Sequence, residues 1–379
     1  MNDLHALRDL YGAPDIDAFA HGRIRVRVND GVSRPRRRRP SWKVVTAGVA
    51  VVAGAVVVAV PGVPTRLGLW NEATTSASAL VTGREILLRV AAQAESAPVA
   101  TGTYWHVRTF SHNTFPEQLG EGANRYWVEE SDVSETWSNR DGESWRGYRE
   151  LGVRPKTPAD EEAWRRDGSP TEWDKTMEPN LVAELSTRPE EGVLTPPEVA
   201  DHPHADTNAD QLDTKAFHVA GGSVTYAALQ ELPADPDALK AWVERSLSAS
   251  TEPSEYTNFN VARSLSTELL LDVPAPPKVR AAAYRALAEM QNIRYVGEAK
   301  DDWGRPGAEF SILGPAGKLS TNLIIDPRTS LILSSRVAVL HKGELLKGKS
   351  QTATYLDTGW TDAEPAVPAI PQGYPVKVP

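Results

Sequence analysis

The stretch GELLKGKS (343–350) fits, letter for letter, the spacing of a phosphate-binding loop, where backbone amides cradle phosphates and the lysine reaches the outer ones. That chemistry needs a strand before the loop and a helix after it. SLILSSRVAVL (330–340) supplies the strand, but QTATYLDTGW follows, rich in β-formers, and only 29 residues remain. We therefore read the stretch as a basic hairpin loop. DHPHAD (201–206) brings His202 and His204 between Asp201 and Asp206, donors suited to zinc or copper. A metal needs a held geometry and no second cluster supports this one, so it reads as a solvated acidic loop and no metal site is assigned.

Hydrolytic signatures fail in the same way. G-x-S-x-G, S-x-x-K and H-E-x-x-H are missing, and Gly221-Gly222-Ser223 reads as a turn. There are no cysteines, which removes thiolate metal sites, thiol nucleophiles and disulfides together. Carboxylates abound, but a sequence does not show which pair would face across a cleft. No catalytic residue and no cofactor is therefore assigned. Trp105, Trp127, Trp137 and Trp145 remain, all in strand-like stretches. On one concave face they would form a wall for stacking or for acyl chains; otherwise they fill the core. They are the ligand-binding residues the sequence nominates.

Among the elements that would hold these residues, TYWHVRTF (103–110) and RYWVEES (125–131) have strand composition. VSETWSNRDGESWRGYRE follows, with Asp141-Gly142 as the turn of a hairpin. A two-residue loop would put Trp137 opposite Arg146 and turn Trp145 to the other face; a three-residue loop reverses this. Thr82 to Glu85 reads as a capping box ahead of a helix that Pro98 stops. Residues 154–215 are rich in Pro, Asp and Glu, with short helices expected near 158–166 and 179–187. AFHVAG (216–221) reads as a strand. Helices follow from Asp235-Pro236, over 258–271, and from Pro276-Pro277 to Met290. IRYVGEAK, AEFSILG, KLSTNLIID, SLILSSRVAVL and SQTATYLD then form an antiparallel meander.

Ahead of all this lies RPRRRRPSWK, then the run Val44–Val60 of nine Val, five Ala, two Gly and one Thr. A helix of that length spans about 26 Å, and Trp42 and Pro61–Val63 extend it toward the ~30 Å hydrocarbon core. A soluble helix this long would show a polar face, and none appears. Arg36, Arg37, Arg38, Arg39 and Lys43 flank it on one side, while only Arg66 follows within twenty residues. That bias places the first 41 residues in the cytoplasm and the rest outside, with Trp42 in the interfacial belt. A cleaved signal peptide fits less well, because the basic head is long and Ala77-Ser78-Ala79 lies far past the apolar run. The net charge of −9 divides accordingly: residues 1–43 carry +5 and the remainder −14. An acidic body argues against nucleic-acid binding.

LQELPADPDALKAW, LLLDVPAPPKVRAAAYRALAEMQNIRYVGEAKDDWGRPG and LIIDPRTSLIL, between Leu229 and Leu340, resemble a family of uncharacterised actinobacterial single-pass membrane proteins. The LRDLYG opening, basic segment and single apolar span share that layout. Ser330 stands where a Gly often follows the IIDP-x-T words. Some members are encoded beside extracytoplasmic-function sigma factors, which implies a cytosolic sigma-factor-type partner for residues 1–41. The order of elements also resembles the half-barrel of periplasmic lipoprotein carriers, by analogy of fold alone.

The expected layout is a basic cytosolic tail (1–41), a transmembrane helix (42–63), a linker (64–81), an extracytoplasmic α+β domain (82–361) and a Pro-rich extended tail (362–379). The domain is expected as a curved, half-barrel-like antiparallel sheet with packed helices. The expected function is binding or sensing of a lipid or other apolar envelope ligand at the cell membrane, coupled to sigma-factor signalling. The alternatives are an extracytoplasmic hydrolase without a recognisable motif and a ligand-free structural envelope protein.

Overall fold

A computed structural model of the chain describes residues 77–178, 181–197, 217–250, 254–341 and 344–374. The basic tail, the apolar run and the His202/His204 loop lie outside these residues. Among the described residues no helix is long and apolar enough to cross a membrane.

Strands β1 (Tyr104–Thr114), β2 (Val128–Ser138) and β3 (Ser144–Pro155) come early in the chain. Next are α2 (Pro158–Arg166), the hairpin β4 (Glu172–Glu178) and β5 (Leu181–Ser186), and the short β6 (Val193–Thr195), with α1 (Ala77–Ser96) preceding them all. The middle of the chain holds β7 (Phe217–Val219), β8 (Gly222–Val224), α3 (Tyr226–Gln230), α4 (Pro236–Ser250), α5 (Thr257–Arg263), a π-helix (Ser264–Asp272) and α6 (Pro277–Glu289). The meander β9 (Ile293–Lys300), β10 (Pro306–Leu313), β11 (Leu319–Asp326), β12 (Leu331–His341) and β13 (Glu344–Thr361) completes the order.

Nine strands form one antiparallel sheet in the order β6-β3-β2-β1-β13-β12-β11-β10-β9. The early hairpins and the late meander meet where β1 pairs with β13, from Tyr104↔Thr361 to Asn113↔Gln351. The sheet is open and does not curl into the expected half-barrel. Closure would need β6 bonded to β9, and β6 has three residues paired on one side, to β3. The helix expected near 179–187 is instead strand β5, paired with β4 through Trp173↔Leu185. A short apolar run such as LVAEL satisfies both periods, and tertiary pairing decides.

The helices cover one face, here called inner. α1 and α6 pack antiparallel, with Val90, Ala91 and Ala94 against Ala281, Ala282 and Ala283, all fully buried. Small side chains let the two backbones approach, and Arg84–Glu289 (2.6 Å) and Arg285–Glu95 clamp the rims. Caps fix the boundaries: Thr157 accepts from Asp160 N at 3.1 Å, Asp235 accepts from Ala238 N at 2.9 Å, and prolines open α2, α4 and α6.

The outer face is crossed by residues 362–374. Asp362 accepts from the Thr103 amide at 2.9 Å, Arg108 donates to Ala369 O at 2.7 Å, and Arg149 donates to Pro368 O at 2.6 Å. Ile370 and Tyr374 pack on Phe110, Val133 and Leu151. Residues 362–374 of the Pro-rich tail thus form a strap laid on the sheet.

Candidate functional site

The inner face divides in two. On β10, β11 and β12, Phe310, Ile312, Leu323, Ile325 and Ile332 are buried beneath the helices. On β13, β1 and β2 the same face is mixed: Trp105, Val107, Ser111 and Ser138 are buried, whereas Ala353, Tyr355, Thr358, Trp360, Thr109, Ser134 and Thr136 stay partly accessible and Gln351 is exposed. Opposite residues of an antiparallel pair share a face, so the register Trp105↔Trp360, Val107↔Thr358 and Thr109↔Tyr355 aligns them. The result is a partly accessible strip of hydroxyls, a methyl and aromatic rings at the margin of the helical layer, called the groove below.

One wall is the end of the π-helix. Leu270 O accepts from Arg280 Nη1 at 2.7 Å and Leu271 O from Trp105 Nε1 at 2.9 Å, so these helix-end carbonyls are satisfied from α6 and from β1. Asp272 follows, reachable by solvent but hemmed in by protein. Burial, and then the Glu268 charge, push its carboxyl up to about 7, with Arg263 partly opposing. Glu268 itself accepts from Ala220 N at 2.7 Å and pairs with Arg263 at 2.8 Å. From the floor, the Tyr355 hydroxyl meets Ser335 Oγ at 2.9 Å; burial and the Asp272 charge hold its phenol above the usual range. A nine-residue π-helix is long for a form usually seen as a single turn at functional positions.

At one end of the groove Trp360 stands edge-on to Trp105 (5.9 Å, 77°) and to Tyr226 (5.9 Å, 85°). Arg140, from the β2–β3 loop, lies over both Trp360 and Tyr226.

The four nominated tryptophans do not form one wall. Trp105 is on the inner face and 8% exposed. Trp137 and Trp145 are on the outer face, directly opposite each other. The hairpin has three residues, Arg140 to Gly142, closed by Asn139 N to Glu143 O at 3.0 Å, and this reverses the two-residue register. Trp127 precedes β2, its amide held by Asp160 Oδ1 at 2.8 Å. Of the four, only Trp105 borders the groove. Sequence reasoning missed Trp360, Tyr355 and Asp272; the signal available for Trp360 was the strand-like TGW after TYLD, which extends β13 to Thr361.

Elsewhere the chemistry is self-satisfied. On the outer face His106 has Glu135 on Nε2 at 2.8 Å and Asp357 on Nδ1 at 3.3 Å, and it stacks on Trp137 at 4.9 Å. A carboxylate sits at each ring nitrogen, so neither nitrogen is turned toward a hydroxyl nucleophile. Among the described residues no group of three His, Asp or Glu is placed to hold a metal. Glu344–Ser350 of the phosphate-loop letters lie within β13, after which no helix follows among the described residues, and Gly343 lies outside them. Gly221 sits in the β7–β8 turn, as read from sequence.

No protein-family model matches the chain, and no curated protein is found similar to it.

Proposed function

We propose that the chain is a membrane-anchored, extracytoplasmic binding or sensing protein whose ligand is an amphipathic envelope molecule, lying in the inner-face groove with its apolar part on Trp105, Val107, Ala353 and Trp360. The observation that carries this reading is the accessibility of Ala353, Tyr355, Thr358 and Trp360 on the face that the helices otherwise bury. Ligand sites are concave, mostly apolar and furnished with few polar groups; Asp272, Tyr355 and Ser335 are those groups here. The anchor is the Val44–Val60 run with its arginine flank. Coupling to a sigma-factor-type partner through residues 1–41 rests on the family resemblance, as does the actinobacterial setting.

Filling the groove tests the proposal. Ala353→Phe and Thr109→Phe, in the full-length chain in lipid nanodiscs, should each weaken binding of a short-chain fluorescent alkyl probe about fivefold or more, with thermal unfolding unchanged. Equal binding by the parent chain and both variants would defeat it.

A further inference from the structure

Arg140 occupies an unusual place for an exposed guanidinium. Its Cζ lies 5.3 Å from the Trp360 ring centroid and 5.7 Å from that of Tyr226, two rings set at 85°. Among the described residues it makes no hydrogen bond and no ion pair, although Asp141 and Glu143 are its near neighbours in sequence. The loop that presents it is fixed from within. Asn139 Oδ1 accepts from the amides of Asp141 (3.0 Å) and Glu143 (2.9 Å), and its Nδ2 donates to Glu143 Oε2 at 2.8 Å. Gly142 supplies the left-handed turn at φ 84°. The backbone that carries the cation is therefore set beside the rings. Trp360 is backed by Trp105 and Tyr226 by Phe217 (6.4 Å), so both faces are set before any ligand arrives.

We propose that the Tyr226–Trp360 corner is a binding site for an alkylammonium group, filled in the free protein by Arg140, which a ligand's own cation displaces. This rests on the reading of the groove as a ligand site and names the chemistry of the ligand's head. Perpendicular aromatic faces attract a cation through the ring quadrupole and suit methylated ammonium, which sheds its water at little cost. The cation could belong to a small soluble amine or to the head of an amphiphile, and the assay separates the two.

Full-length protein in lipid nanodiscs is titrated with choline, with its uncharged isostere dimethylbutanol, and with hexyltrimethylammonium, following tryptophan fluorescence. Arg140→Ala should tighten choline about five- to tenfold by removing the internal competitor, and Trp360→Leu in that background should abolish the gain. Dimethylbutanol should show neither effect. Hexyltrimethylammonium binding much more tightly than choline identifies an amphiphile head; equal affinity identifies a soluble amine. If Arg140→Ala leaves choline affinity unchanged, or if dimethylbutanol follows choline, the corner is not a cation site. Tightening of choline with Ala353→Phe indifferent to hexyltrimethylammonium keeps the corner and removes the groove. Loss of the alkyl probe in Ala353→Phe with choline blind to Arg140 keeps the groove and removes the corner.

Discussion

One face of one sheet does two different things. Over β10–β12 it carries Phe310, Ile312, Leu323 and Ile325, buried to 2% exposure or less beneath α1, α6 and the π-helix. Over β13, β1 and β2 it is mixed: Trp105, Val107 and Ser111 are buried, while Thr109, Ser134, Thr136, Ala353, Tyr355, Thr358 and Trp360 stay within reach of solvent. The strand pairing is continuous across the boundary, with Ser335↔Ala353 on one side and Thr109↔Tyr355 on the other. Backbone hydrogen bonding therefore does not separate the halves; side-chain composition does. Branched aliphatics recruit helices because each buried one contributes about 1.5–3 kcal/mol, whereas hydroxyls tolerate water.

That contrast can be broken most severely on the packed side. Phe310→Ala should cost about 3–5 kcal/mol in chemical denaturation, while Thr109→Ala in the groove should stay within about 0.5 kcal/mol. Similar losses at both positions would mean that the groove is core. The outer face offers a second test. A Cβ on Gly147 would lie 2.7 Å from Pro368 Cδ, so Gly147→Ala should unseat the strap, cost about 1–3 kcal/mol and expose residues 362–374 to protease, while alkyl-probe binding on the inner face persists. A smaller effect concerns Asp272. Its folded-state value near 7 lies above the unfolded 3.8, so the fold favours the protonated form. The resulting stability is complete below about pH 4 and is lost as pH rises through about 7, softened by the access of water to the carboxyl. Asp272→Asn should flatten this dependence, raising the denaturant midpoint at about pH 8 relative to the parent but not at about pH 4. A parallel offset at all pH values would assign Asp272 a purely steric role.

Much of the fold was legible because local signals agreed with it. Pro236 and Pro277 begin helices, IRYVGEAK is β9 residue for residue, and the expected helix over 158–166 is α2. Ser330 takes φ 57°, a left-handed conformation that favours glycine, and its carbonyl accepts from the Tyr284 hydroxyl at 2.7 Å, so the turn is kept despite the side chain. The site was less legible, for reasons of long-range pairing. Trp105 meets Trp360 only because β1 pairs with the last strand, and Asp272 acquires its environment only when α6 and β1 take the preceding carbonyls. Neither contact has a local sequence signal. The faces of Trp137 and Trp145 turned on a single residue of loop length, which a period of two converts into a reversal.

The chain has no cysteine, so one introduced thiol is unique. The rate at which a water-soluble thiol reagent labels Ala353→Cys in the native protein, against Ile325→Cys on the packed half, measures the openness of the groove directly. We expect Ala353→Cys to react within about tenfold of a free thiol and Ile325→Cys at least about a thousandfold more slowly, limited by unfolding. Equal, strongly protected rates at the two positions would contradict an open groove and with it the proposed ligand site.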